Sequence, residues 1–129
     1  MKKVISFGAV AVVFILAAWF GWSARREASY RATLSRYKQD LSTGMTRSEV
    51  QKHLDSRSVQ YLDDVTWVAW RPDGLHAIGI PLGPTSGPLG CTWTAYVELK
   101  FELSAKSRTA TSSDRLKEIE ISRIGRDCV

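Results

Sequence analysis

The chain has 129 residues, with 18 Lys and Arg against 13 Asp and Glu and a formal charge of +5, which allows one small domain at most. Two histidines, two distant cysteines and no phosphate loop, paired carboxylates or Ser-His-Asp set leave nothing to propose for catalysis, a metal, a cofactor or a small-molecule substrate. Eight of the bases fall within residues 25–57 against four acids, and without an RNA-binding aromatic signature or a recognition helix this excess suits anionic lipid headgroups or a solvated helix face, not nucleic acid.

After Lys2 and Lys3, residues 4–22 carry no charge. At 1.5 Å per residue they reach roughly 28 Å, close to the hydrocarbon thickness of a bilayer. Trp19 and Trp22 close the run and Arg25 and Arg26 follow it, the order expected at a membrane interface. A cleaved signal peptide is the competing reading, but Trp22 stands where a small residue should precede the cut. Residues 1–24 are therefore read as an uncleaved transmembrane signal anchor. The bases just beyond it place the rest of the chain in the cytoplasm by the positive-inside rule. The cysteines argue the opposite, and the reading follows them.

Residues 25–129 form the expected domain. A first helix is predicted over about 25–43, with Tyr30, Leu34, Tyr37 and Leu41 on one face, and a second over 47–56, with Val50 and Leu54 inward. Between them, Gly44 supplies a left-handed turn residue and Thr46 with Glu49 forms a capping box. Met45 and Val50 have the spacing of a hydrophobic staple.

From about residue 59 the pattern becomes extended and stays so to 124. Strands are predicted at 59–62, 65–70 and 75–80, with a type I turn at Arg71-Pro72-Asp73-Gly74. The segment 79–90 holds three prolines and glycines at 79, 83, 87 and 90, so it is read as a loop. Its Ile80, Pro81, Leu82, Pro84, Pro88 and Leu89 make it the candidate partner-binding surface. Residues 93–103 alternate cleanly, predicting a strand with one buried face and one wet face that includes Tyr96. Residues 116–124 repeat the alternation, with Leu116 and Ile124 out of phase as at a bulge.

Cys91 and Cys128 show no CxxC spacing and are expected to pair, which requires an oxidising compartment; the alternative is two buried thiols in a reducing one. The fold class is α+β: two helices on one face of a small antiparallel sheet, behind a transmembrane helix.

Two helices, a Gly-Met-Thr-x-x-Glu-Val turn within 41–54, then antiparallel strands resemble the small envelope domains of the SmpA/OmlA (BamE-like) family, whose fold is also similar to that of β-lactamase inhibitor proteins. That resemblance implies binding of other proteins without catalysis. The chain departs from it in lacking a lipid-accepting cysteine and in carrying an anchor. The expected function is thus a membrane-anchored, non-enzymatic module of the cell envelope, an accessory, adaptor or inhibitor that binds another envelope protein. It would be single-pass in the inner membrane, with its domain extracytoplasmic. The alternatives are a cytoplasm-facing domain resting on anionic lipid through its basic helices, and an enzyme.

Overall fold

The computed structural model describes residues 2–63, 76–102 and 110–127. They form helix α1 (Lys2–Asp40), helix α2 (Arg47–Ser56) and strands β1 (His76–Pro84), β2 (Thr92–Glu102) and β3 (Arg115–Arg126). The chain divides into two units, Met1–Ala32 and Thr33–Val129. The predicted strand at 65–70 and the turn at Arg71-Pro72-Asp73-Gly74 lie outside the described residues.

The first unit belongs to α1 and exposes its apolar side chains. Phe7, Val13, Phe14, Ile15, Trp19, Phe20 and Trp22 are each at least 61 % accessible. Phe7–Asp40 contains a window of mean hydropathy 1.9 with none of it buried, long and apolar enough to cross a membrane. The expected anchor and the helix expected from about residue 25 are one element: α1 runs uninterrupted from Lys2 to Asp40. Residues 23–33 contain no proline or glycine and are rich in Ala and Arg, so nothing in them stops a helix.

In the second unit the helix ends at Asp40, short of the expected 43, with Leu41 N–H still bonded to Tyr37 O at 2.8 Å. A four-residue turn follows, closed by Met45 N–H donating to Ser42 O at 3.1 Å. Gly44 sits at its third position with φ +94°, where any Cβ would be strained although nothing occupies the space around it.

The capping box forms as its sequence predicts: Thr46 Oγ1 accepts from Glu49 N–H at 3.3 Å, and Glu49 Oε2 accepts from Thr46 N–H at 2.8 Å. What the sequence does not show is that this turn is also laid against β3 as a strand would be. Gly44 N–H donates to Leu116 O at 2.8 Å, and Leu116 N–H returns to Met45 O at 2.7 Å. Arg47 N–H reaches Asp114 O at 2.7 Å, and Ser48 N–H reaches Ser112 O at 3.1 Å. The first N–H groups of α2, which a helix cannot satisfy internally, thus all find acceptors.

The sheet runs β1-β2-β3, antiparallel throughout. Its inner face carries Ile78, Ile80, Val97, Leu99, Phe101 and Leu116, all 5 % exposed or less. Leu41, Val50 and Leu54 close over them, with Leu34, Tyr37 and Met45 at the margin. Both ends of the staple therefore meet the core, Met45 half-buried and Val50 fully buried. The expected bulge is present between Leu116 and Glu118: Phe101 faces Leu116 while the next pair is Lys100 with Glu118, so Lys117 is the extra residue that returns Leu116 to the core face.

The expectations for β1 with its outer edge and for β2 are corrected. Segment 79–90 is not one loop, since Gly79 to Pro84 are strand β1, paired with β2 as far as Pro84 with Thr94. Proline survives here because Gly79 exchanges both backbone bonds with Leu62 on the outer edge, and the backbone of Pro81, two residues on, faces the same way. Its missing N–H costs no bond to β2, and a register shift follows between Pro81 and Gly83. Leu62 contributes that single bridge, not the strand predicted for 59–62.

The second correction concerns β2, whose supposed wet face is buried: Tyr96 is 6 %, Glu98 1 % and Lys100 6 % exposed. The charges are arranged for it. Lys100 Nζ pairs with Glu120 and lies 3.7 Å from Glu118, the residues brought to this face of β3 by the register. Salt-bridged burial of this kind stabilises little in itself but penalises any other register.

Thr46→Ala should cost about 1 kcal/mol in equilibrium unfolding. Glu49, held below the ordinary carboxylate pKa first by the Thr46 backbone N–H and then by its hydroxyl, should make stability fall on acidification. Its contribution is complete above about pH 4.3 and is lost as pH drops through the lower folded value, so Glu49→Gln should flatten the acid limb of the melting-temperature profile. Leu54→Ala, at a fully buried position, should cost about 2–5 kcal/mol in the same unfolding assay.

Candidate functional site

The connection between β1 and β2 is the part of the domain that is built and then left uncovered. Past the last strand pair, Thr85 N–H donates to Trp93 O at 3.0 Å, which starts segment 86–91 from a fixed point. The Trp93 indole then lies against Gly87 and against Gly125 of β3. A Cβ at Gly87 would collide with the ring, and one at Gly125 would stand 3.1 Å from it. Trp93 Nε1–H also donates to Pro88 O at 2.9 Å. Gly90, at φ +93°, turns the chain into Cys91, which is half-buried and disulfide-bonded. Cys128, the chain's other cysteine, lies outside the described residues.

At the tip of this braced loop stands Leu89, fully exposed at 102 %. Pro88, next to it in sequence, and Pro84, at the end of β1, are also exposed. Of the remaining predicted contact residues, Ile80 belongs to the core and Leu82 packs against it, so neither is available. Pro81 is exposed on the edge strand and lines a groove of about 410 Å³ with Val59, Gln60, Tyr61 and Leu62. The phenol of Tyr61 is held above its ordinary pKa by burial and by donating to Asp55 Oδ1 at 3.1 Å, so it stays a neutral donor. Outside α1, Leu62 and Leu89 are the two large apolar side chains, among the described residues, that stand open to solvent.

The chain next to the groove is held in place by charge. Asp63, next to Leu62, pairs with Arg47 and accepts from Gln51 Nε2 at 2.8 Å. Arg47 is 3 % exposed, its guanidinium 4.7 Å above the ring of Phe101. Sequence reasoning missed this buried arginine, because its position at the start of α2 reads as solvated. It also missed Trp93 as a brace, taking it as one more alternating residue. The Gly87 and Gly125 positions were the available signal, but only the hairpin register brings them to one ring.

At the other end of the molecule's sequence, the predicted interface residues Trp19, Trp22 and Arg25 are exposed, and the Arg26 guanidinium lies 5.1 Å from the Trp22 ring centre. Among the described residues no cluster of three or more His, Cys, Asp or Glu is placed to hold a metal ion. Compared with known protein families, characterised proteins and solved structures, the chain matches none.

Gly87→Ala forces the loop off the indole, and Trp93→Phe removes the bond to Pro88. Each should speed hydrogen exchange at the Thr85 amide and raise proteolytic nicking within 86–91, with a stability loss of about 1 kcal/mol for the lost hydrogen bond. The core amides of β2 should keep their protection.

Proposed function

We propose that this is a single-pass membrane protein whose domain binds another protein of the cell envelope without catalysing a reaction. The observation that carries the reading is Leu89. A leucine with its whole surface in water gains nothing for the folded chain, yet the loop beneath it is held by a backbone bond, an indole and a disulfide. Ordering a loop before binding removes much of the conformational cost that a partner would otherwise meet. A rigid loop with an apolar tip, flanked along β1 by the groove at Pro81 and Leu62, is suited to a protein surface with a matching pocket.

The apolar run of α1 supports anchorage, since its side chains have no cover among the described residues. The disulfide at Cys91, for which Cys128 is the sole cysteine partner the chain offers, supports an oxidising compartment and hence an extracytoplasmic domain. The resemblance of 41–54 and the strand order to the SmpA/OmlA (BamE-like) envelope domains points the same way.

A photoreactive residue at position 89 in the full chain, expressed in its own membrane, should cross-link one protein reproducibly. Leu89→Asp should reduce recovery of that protein by about tenfold or more while leaving the melting temperature unchanged, since truncating an apolar anchor at an interface typically costs 2 kcal/mol or more. Unchanged recovery would remove the loop from the interface. Thiol labelling of intact cells before and after reduction fixes the compartment separately.

A further inference from the structure

The end of the apolar run of α1 carries two arginines whose charge nothing in the described chain neutralises. Arg25 and Arg26 lie three and four residues after Trp22, so all three share one face of the helix. Arg26 is laid over the Trp22 ring at 5.1 Å. Neither guanidinium meets a carboxylate among the described residues, and Arg26 Nε has no hydrogen-bond partner there. On the same side Ala18, Gly21, Trp22 and Arg25 line a groove of about 300 Å³, roughly ten times the share of liquid volume held by one water. Gly21 contributes to it by having no side chain, since a Cβ there would meet nothing within 4 Å.

Depth decides which cations matter. With Trp22 at the boundary of the hydrocarbon, Arg25 and Arg26 stand roughly 4.5 and 6 Å further along the axis, within the headgroup layer, whereas Arg31 stands roughly 13.5 Å beyond and outside it. A charge pair at phosphate depth, above an apolar groove that descends towards the bilayer, matches a ligand with an anionic head and a hydrocarbon tail.

We propose that this face of α1 is a binding site for an anionic phospholipid, with the phosphate held by Arg25 and Arg26 above Trp22 and an acyl chain lying in the groove beside Ala18 and Gly21. The site rests on the anchored reading of α1, which alkaline extraction of membranes tests by itself. It does not depend on Leu89 or on any protein partner.

The test is native mass spectrometry of the full chain in detergent, titrated with phosphatidylglycerol or with phosphatidylcholine of the same chains. The wild type should retain phosphatidylglycerol in preference. Arg25→Gln and Arg26→Gln should each lower that retention about fivefold, the effect of one basic residue at an anionic surface, and Arg31→Gln should leave it within twofold. Gly21→Leu fills the groove while keeping both charges, and should lower retention as well; circular dichroism checks that each variant keeps its helix. Equal retention of the two lipids by the wild type overturns the proposal. So does unchanged retention in the arginine variants, and so does full retention in Gly21→Leu, which would leave a basic surface with no groove.

Discussion

The domain depends on a splice between a helix turn and a strand. Residues 44–48 do two jobs in five positions: they end the connection from α1 and begin α2, and they also share four backbone hydrogen bonds with residues 112–116, donating three and accepting one. Because the same amides that start α2 are fixed to the approach of β3, the helix cannot rotate or slide without breaking pairing at the sheet edge. Asp114 secures the other side of the splice. It is 1 % exposed, and its carboxylate accepts from the Thr111 backbone N–H at 2.9 Å and from the Thr111 hydroxyl at 2.7 Å. Arg115 adds a bond from Nη1 to Gly44 O at 2.9 Å. With the helix angle set in this way, Val50 and Leu54 fall onto Phe101, Leu99 and Ile78.

From that constraint the burial of β2 follows. A three-stranded sheet has one central strand, and here its residues 95–101 are buried on both faces. The inner face is apolar and needs only volume to be filled. The outer face contains charges, and the register solves their burial by setting Lys100 between Glu118 and Glu120. A slip by one residue would move the acids to the apolar side, so the pairing that stabilises little still selects the register strongly.

The surfaces left for function lie at two separate places in the sequence. The apolar run of α1 has side chains with no cover among the described residues, and its end is marked by aromatic and basic residues at successive positions. The hairpin loop is the reverse case, polar and small in composition but ordered by Trp93 and the disulfide at Cys91. An exposed leucine on a mobile loop would mean little; on one braced by an indole it becomes a fixed feature of the surface.

Much of the backbone was legible in advance because it is decided locally. Thr46, Glu49 and Gly44 act within a few residues of themselves, so the cap and the turn follow from spacing and conformational preference alone. The apolar length of 4–22, the alternation of β2 and the phase change at Leu116 are local in the same sense. Tertiary structure decided the rest, wherever the outcome turns on which element lies alongside. Proline at 81 and 84 argued for a loop, but an edge strand has one side on which a missing donor is harmless, and only the pairing with β2 shows which side that is. The continuation of one helix past Trp22 was open to reading from helix propensity, yet the place where α1 meets the core, at Leu34 and Tyr37, was set by packing. Tyr96, Glu98 and Lys100 alternate as solvent residues do, and they are buried because neighbours distant in sequence supply both the cover and the countercharge. Alternation in a sequence records a difference between two faces; which face meets water is fixed only when the other elements have taken their places.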